Sequence, residues 1–369
     1  MKPKLLCVLH RSPPAHGAAK VGDMIAESEA LNKAFDCKFI TIKSADSLED
    51  IRKFKFKKIY LMVALYVKVM IALITFRPQK LYFTASVSGL PFYRDLFVST
   101  TWKIYKLIRP LEVYYHYHTK GVNKFVSNSN LNLKLSRFFL KNVNLVLLSP
   151  LLKDDFEKVT TYKELLFLPN GVEDNYSTEE FKSYIEKKSF ETINILYLSN
   201  MMKSKGYFEV LKLSNQTKNE SIHYHFAGGW QSEEDEKEFF DYIEENNLSS
   251  KVTFHGFVNG EQKQELFEKS HFFVFPTRYE NEAFPLSILE AFSYGLPAIS
   301  TDEGSIPFII DEKSGIVIDD TNKLLEALSM AKESLLNIDT AFYCRQRYLE
   351  NFNFKSFHSN LVNLFTGQK

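Results

Sequence analysis

The stretch HFFVFPTRYENEAFPLSILEAFSYGLPAIS, residues 271–300, sets out a strand, a loop, a helix and a second strand in succession. The apolar run 272–275 predicts a buried strand, and the polar loop after it holds Glu282. Periodic apolar residues then predict a helix over about 286–294. Pro285 suits the first helical position, where a missing N–H costs nothing, and Gly295 suits the left-handed residue that stops the helix. Residues 297–300 open the next strand. Glu282 and Glu290 flank this turn with seven residues between them. One carboxylate precedes the helix and the other lies on its second turn, so both can face a ligand held at the helix N-terminus. That terminus offers free N–H groups and the positive end of the helix dipole, which suits a phosphate. A carboxylate accepting two hydrogen bonds suits the vicinal hydroxyls of a ribose or a hexose. The pattern implies a nucleotide-sugar site; the bland alternative is an amphipathic helix with one exposed Glu.

Outward from this stretch, short apolar strands alternate with amphipathic helices. Strands are expected over 5–9, 37–42, 80–84, 112–117, 145–149 and 165–168, and then over 193–198, 222–227, 252–254, 272–275, 298–300 and 316–318. Segments 21–35 and 131–141 read as helices. Such alternation implies an α/β fold with parallel sheets covered on both faces. A chain of 369 residues suits two domains. The polar stretch 177–192 reads as the linker.

The net charge of +1 conceals a division. Residues 51–150 carry 17 Lys and Arg against two acids, Asp95 and Glu112, whereas the first fifty residues balance, so residues 151–369 carry −14. The basic half calls for an anionic partner. Arg52, Lys53, Lys55, Lys57 and Lys58 run straight into an apolar segment, 59–76, interrupted by Lys68. Two readings stay open for it, a buried domain helix and a peripheral contact with an anionic membrane surface; a spanning helix is marginal in length and has a lysine at its middle. No nucleic acid partner is expected. Cys7, Cys37 and Cys344 lie far apart without metal spacing or a pairing pattern, which suits buried thiols in a reducing compartment and a cytoplasmic protein. The apolar run at the start is too short for a signal peptide.

Glu282, Glu290, Ala291, Gly295 and Pro297 together resemble the donor-binding signature of the retaining glycosyltransferases of family 4. The resemblance implies the GT-B fold, two Rossmann-like domains whose parallel sheets face each other across a cleft. The acceptor-side domain would span 1–185 and the donor-binding domain 190–351, with a last helix, 352–369, packing back on the first domain. Glu290 would bind the nucleotide ribose, and Glu282 would lie near the transferred sugar. Ala283 and Pro285 stand where the family more often has Gly; Pro285 lacks an N–H, so backbone contacts fall to Phe284, Leu286 or Ser287.

Further segments resemble family loops. Residues 11–19, with His16 and Gly17, resemble the Pro-Pro-x-x-Gly loop under the donor diphosphate and beside the acceptor. Residues 115–121 end a strand; His118 is expected to touch the sugar or acceptor, with His116 as the alternate and Lys120 beside it. Lys205-Gly206 matches the phosphate clamp, but Asn200 stands where the family has Arg, replacing a bidentate cation with an amide. Phe257 and Val258 would pass the nucleotide base. The implied function is metal-independent, cofactor-free, retaining transfer of a sugar from a UDP- or GDP-sugar to a glycan or a polyprenyl-diphosphate-linked acceptor, in bacterial surface-polysaccharide assembly. Asp154-Asp155 and Asp319-Asp320 lack the spacing of an Asp-x-Asp metal motif. The alternatives are a catalytically inactive sugar-nucleotide-binding partner, which Asn200 favours, and a nucleotide-sugar epimerase or phosphorylase of the same fold.

Overall fold

The computed structural model describes residues 2–13, 17–43 and 51–367, without the side chains of 51–56. His16 and the side chains of Arg52, Lys53 and Lys55 lie outside the described residues. The chain forms two compact units, Met1–Asn170 with Lys355–Lys369, and Gly171–Phe354.

Unit 1 begins with β1 (Lys4–Leu9), α1 (Gly17–Glu27), α2 (Glu29–Ala34) and β2 (Asp36–Thr41). The long helix α3 (Ile51–Phe76) leads to β3 (Lys80–Ala85), followed by α4 (Gly89–Tyr105) and β4 (Glu112–Tyr117). Helices α5 (Val122–Ser127) and α6 (Asn130–Leu140) precede β5 (Asn144–Leu147) and β6 (Glu164–Phe167). All pairings are parallel, in the order β2-β1-β3-β4-β5-β6. Successive strand residues face opposite ways. Phe83 and Tyr115 meet Trp102 of α4 and Phe139 of α6, and the Trp102 indole N–H donates to the Tyr115 hydroxyl at 2.9 Å. Their neighbours Tyr82 and Tyr114 meet Phe365 instead.

Unit 2 holds α7 (Thr178–Glu186), β7 (Ile193–Leu198), α8 (Tyr207–Gln216), β8 (Ile222–Ala227) and α9 (Glu233–Glu245). It continues through β9 (Val252–Phe254), α10 (Gly260–Lys269), β10 (Phe272–Phe275), α11 (Leu286–Ser293) and β11 (Ala298–Thr301). Then come α12 (Ile306–Ile309), β12 (Gly315–Ile318), α13 (Leu324–Ser334) and α14 (Ile338–Asn351). The second sheet is also parallel, in the order β12-β11-β10-β7-β8-β9. Helix α15 (Phe354–Thr366) belongs almost wholly to unit 1, where Phe357, Leu361 and Phe365 are buried.

All twelve expected strands are present, with ends shifted by at most two residues. The single helix expected over 21–35 is two helices, because Ser28 is extended and its hydroxyl accepts from the Leu31 N–H, capping α2. The stretch 177–192 is no linker: Ser177 and Glu180 form a capping box on α7, whose Phe181 and Ile185 pack against Ala341. The buried guanidinium of Arg345 donates to the carbonyls of Ser293 and Tyr176 and to Asp174, stitching residues 174–176 to α14. Residues 171–185 therefore lie in unit 2, where the expected boundary assigned them to the first domain. Glu179, Glu180, Lys182 and Glu186 around Phe181 and Ile185 mask an apolar stripe with a four-residue spacing.

One face of the second sheet carries buried imidazoles. His225 pairs with His255 and with the Asn194 amide oxygen, each at 3.1 Å, and His271 accepts from the Asn194 N–H and donates to the Ser189 carbonyl. Burial, with nearby Lys269 for His225 and His255 and Lys188 for His271, holds these rings at about 3, 4 and 4, below their ordinary 6.5. The unfolded chain thus binds more protons below pH 6.5, and stability present above that value is lost as pH falls toward 4. Thermal melts at steps between pH 7 and pH 4.5 should give a steadily falling Tm, and His225→Gln should flatten that slope; a Tm independent of pH across this range would contradict the buried neutral rings.

Candidate active site

In an open α/β sheet, ligands bind at the carboxyl ends of the strands where the winding reverses. In unit 2 that point lies between the adjacent strands β7 and β10, and the loops following them meet there. Gly206, at φ +88, makes the meeting possible, since a Cβ on it would lie 2.4 Å from the Pro276 carbonyl oxygen. The Arg278 N–H donates to the Ser204 carbonyl at 2.7 Å. Held this way, the Lys205 ammonium bonds the Glu282 carboxylate and lies over the Tyr279 ring, 4.5 Å from its centroid. The Lys205 and Glu282 side chains are only 14% and 10% exposed. Gly304, at φ +57, lets the loop after β11 close on the same carboxylate's backbone: a Cβ there would sit 2.2 Å from the Glu282 carbonyl oxygen, and the Ser305 N–H donates to Ala283.

Helix α11 starts beside this pair. Pro285 is its N-cap, one position earlier than the sequence suggests, so Leu286 is the first helical residue. Pro285 itself supplies no side-chain cap hydrogen bond to this end. The Phe284 ring is buried against Phe308 and Phe352, which leaves only its backbone for a ligand. Glu290, on the second turn, accepts from Lys263 of α10 at 2.7 Å, and both border a cavity of about 280 Å³. Lys263 is a residue that the sequence pattern does not mark.

Asn200 is exposed, and its carbonyl accepts from the Met202 N–H. Lys203 pairs with Glu238 and Asp235 of α9. Phe257 is 74% exposed and Val258 half-buried on the loop between β9 and α10. Gly228 locks the neighbouring loop against β7, since a Cβ there would lie 1.7 Å from the Ser199 carbonyl oxygen. Lys205, Glu282, Glu290 and the start of α11 thus lie on adjoining loops and helices of unit 2.

The residues expected on the acceptor side belong to unit 1. His118 is half-buried just beyond β4, with its ring 4.1 Å from that of His116. His116 is fully buried, bonds the Tyr82 hydroxyl at 2.7 Å, and is held neutral far below the ordinary histidine value by burial and by His118. It is therefore a core residue and not the alternate to His118: two residues on, the strand has run out of sheet, and only the second ring reaches the surface. The N–H groups of Gly121, Val122 and Asn123 all donate to Asp155 at 2.9 Å, so a carboxylate fills the N-terminus of α5. Lys120 is half-buried in the loop before it. Gly17 opens α1 with free space where a Cβ would stand.

Comparison with known proteins bears on this architecture. The family of glycosyl transferases group 1 matches residues 178–341, nearly all of unit 2. The fold is GT-B. A sucrose-phosphate synthase from Thermosynechococcus elongatus superposes with a TM-score of 0.73 at 17% identity, covering 100% of this chain and 99% of that one. Anabaena HepE in complex with UDP and glucose gives 0.68 at 13% identity, covering 99% of each. The O-antigen chain mannosyltransferase C of Escherichia coli is 34% identical over 125 residues, 32% of this chain and 33% of its own. The chain spans less than half the length of the curated relatives it matches.

Removing one member of a largely buried ion pair strands the other, at a cost of about 3–5 kcal/mol. Lys205→Met should destabilise unit 2 on that scale in urea unfolding, and adding Glu282→Gln should recover more than half of the loss. Equal stability of the two variants would mean that the carboxylate finds solvent without its lysine.

Proposed function

We propose that the protein is a retaining glycosyltransferase that moves a sugar from a UDP- or GDP-sugar to a hydroxyl of a glycan or a polyprenyl-diphosphate-linked oligosaccharide. The observation that carries this reading is the Lys205–Glu282 pair at the β7–β10 reversal, beside the start of α11, where the N-cap residue is a proline. An ammonium has three donors, so Lys205 can hold Glu282 and a phosphate oxygen together. The helix N-terminus adds N–H groups and a positive dipole end for the diphosphate. Glu290 takes the ribose hydroxyls and Glu282 a hydroxyl of the transferred sugar. The bond from the sugar's anomeric carbon to the phosphate oxygen breaks, the acceptor oxygen bonds the same face, and the departing phosphate takes the acceptor's proton. The protein contributes orientation and charge stabilisation of the leaving group. His118 is assigned to the sugar or the acceptor by family resemblance.

Metal independence is supported by the engagements of the acids: Asp155 caps α5, and Asp319 pairs with Lys323. The free thiols Cys7, Cys37 and Cys344 support a cytoplasmic setting. Resemblance to O-antigen chain mannosyltransferase C supports surface-polysaccharide assembly, and an acceptor at the anionic inner face of the membrane would account for the basic charge of unit 1.

A hydrogen bond to a charged partner contributes about 1.5–3 kcal/mol, so its loss weakens binding about ten- to a hundredfold. Calorimetry should show Glu290→Ala weakening UDP or GDP on that scale, while Glu282→Gln, which keeps an oxygen acceptor for Lys205, spares the free nucleotide and loses sugar transfer. Equal effects of both on the bare nucleotide would contradict the division of roles. Transfer should persist in EDTA with retained anomeric configuration in the product. A strict metal requirement or an inverted product would overturn the mechanism, and nucleotide binding without turnover would favour the inactive partner.

A further inference from the structure

One face of unit 1 is apolar where solvent ordinarily meets polar side chains. On α3, Tyr60, Val63, Val67, Ile71 and Ile74 are exposed at spacings of three and four residues, a single stripe along the helix. The opposite side, Leu65, Val69, Ala72 and Leu73, is buried and packs toward β1 and β2. On α4, Leu90, Tyr93, Phe97 and Ile104 make a second exposed stripe, and the chain beyond it carries Leu107 at 85% exposure beside Ile108. Tyr66 stacks on Phe97 with ring centroids 4.7 Å apart, setting the two helices side by side. An apolar surface of this extent marks an interaction site.

Charge selects what covers it. Between residues 51 and 111 the sequence holds twelve Lys and Arg against one acid, Asp95, which is fully buried and paired with Arg94. Lys57, Lys68 and Arg77 are exposed on and just beyond α3. Lys103 and Lys106 crowd the end of α4 with Lys141, and burial together with these like charges pushes the Lys103 ammonium down to about 8. A second copy docked on this face would bring two such sets of cations together, and among the described residues of α3 and α4 the one carboxylate, Asp95, is buried. An anionic bilayer answers both the apolar stripes and the cations.

Topology decides how the helix lies. Residues 57–76 are long and apolar enough to cross a membrane. Yet α3 is the crossover from β2 to β3, and both strands pair with β1. A spanning α3 would leave those strands on opposite sides of the bilayer, so the sheet and the span exclude each other. We propose that α3 and α4 form a monotopic docking face, their exposed stripes entering the interfacial layer of an anionic bilayer in plane while the flanking Lys and Arg rest on the headgroups. This deepens the reading of a lipid-linked acceptor, and rests on it for the biological setting.

The test is co-sedimentation of the full chain with phosphatidylcholine vesicles, with and without phosphatidylglycerol, at low and high salt. The protein should pellet with the anionic vesicles at low salt and lose at least about tenfold in affinity without phosphatidylglycerol or at high salt. Lys57→Glu with Lys68→Glu should cost about fivefold or more per residue. Tyr60→Ser with Val67→Ser and Ile74→Ser should weaken binding while the melting curve stays unchanged, since all three side chains are exposed. Protein left in the supernatant with anionic vesicles at low salt overturns the proposal, as does pelleting that neither variant reduces. Resistance to alkaline carbonate extraction would mean a span, and a lipid-free dimer dissolved by the serine variant would mean a second copy; either overturns it. UDP and GDP calorimetry on the same protein separates the two readings: vesicle binding without nucleotide binding supports this face and overturns the donor site.

Discussion

A carboxylate and an ammonium largely withdrawn from water sit together where β7 and β10 adjoin, and much of unit 2 is arranged to keep them so. Neither group tolerates burial alone. Their meeting needs the β7 loop pressed against Pro276, which only a residue without Cβ at position 206 permits, and the β11 loop closed over Glu282, which position 304 permits in the same way. The two glycines, the reversal of strand order and the start of α11 are thus conditions on one electrostatic contact. The phosphate proposed for this site would meet a cation already oriented by its carboxylate, so little reorganisation would remain to be done on binding.

The division of charge along the chain has a local counterpart that differs from the bulk. Residues 151–369 carry −14, yet the candidate donor site lies in this acidic half. The first turn of α9 holds four acids in succession, and two residues of that helix, Asp235 and Glu238, bind Lys203. Exposed charges are screened over about 10 Å at ordinary salt, so net charge says little about the potential at a site built from Lys205 and backbone N–H groups. In unit 1 the reverse holds: its cations stand exposed around an apolar surface, and there the bulk charge is the surface charge.

Strands buried on both faces announce themselves as short continuous apolar runs, and interior strands such as β1, β3, β5, β10 and β11 were legible for that reason. The places of Glu282 and Glu290 could be read because Pro285 and Gly295 punctuate the helix beside the one and under the other, whereas Lys205 was singled out by the resemblance of Lys205-Gly206 to a family phosphate clamp. What escaped depends on contacts between distant segments. Lys263 reaches Glu290 across 27 positions, and Asp155 reaches the start of α5 across more than thirty. His116 and His118 share a motif and a face of β4; the end of the strand, not their spacing, buries one and leaves the other near the surface. The unit boundary was misread because Phe181 and Ile185 are two apolar residues in a strongly charged helix, and their partner Ala341 lies far along the chain.

The return of α15 to unit 1 makes that unit discontinuous and turns unit 2 into an insertion, entered after Asn170 and left after Phe354. A fragment ending near residue 170 would lack Phe365, which covers Tyr82 and Tyr114, and would expose aromatic surface that no other segment is positioned to cover. Exchange of unit 2 between related chains should therefore be conceived as replacing a cassette with two splice points, Lys355–Lys369 staying with the unit they shield. Recombination at a single junction would separate α15 from the strands it covers, so the sequence of that helix is expected to evolve in step with those strands and not with unit 2, which precedes it.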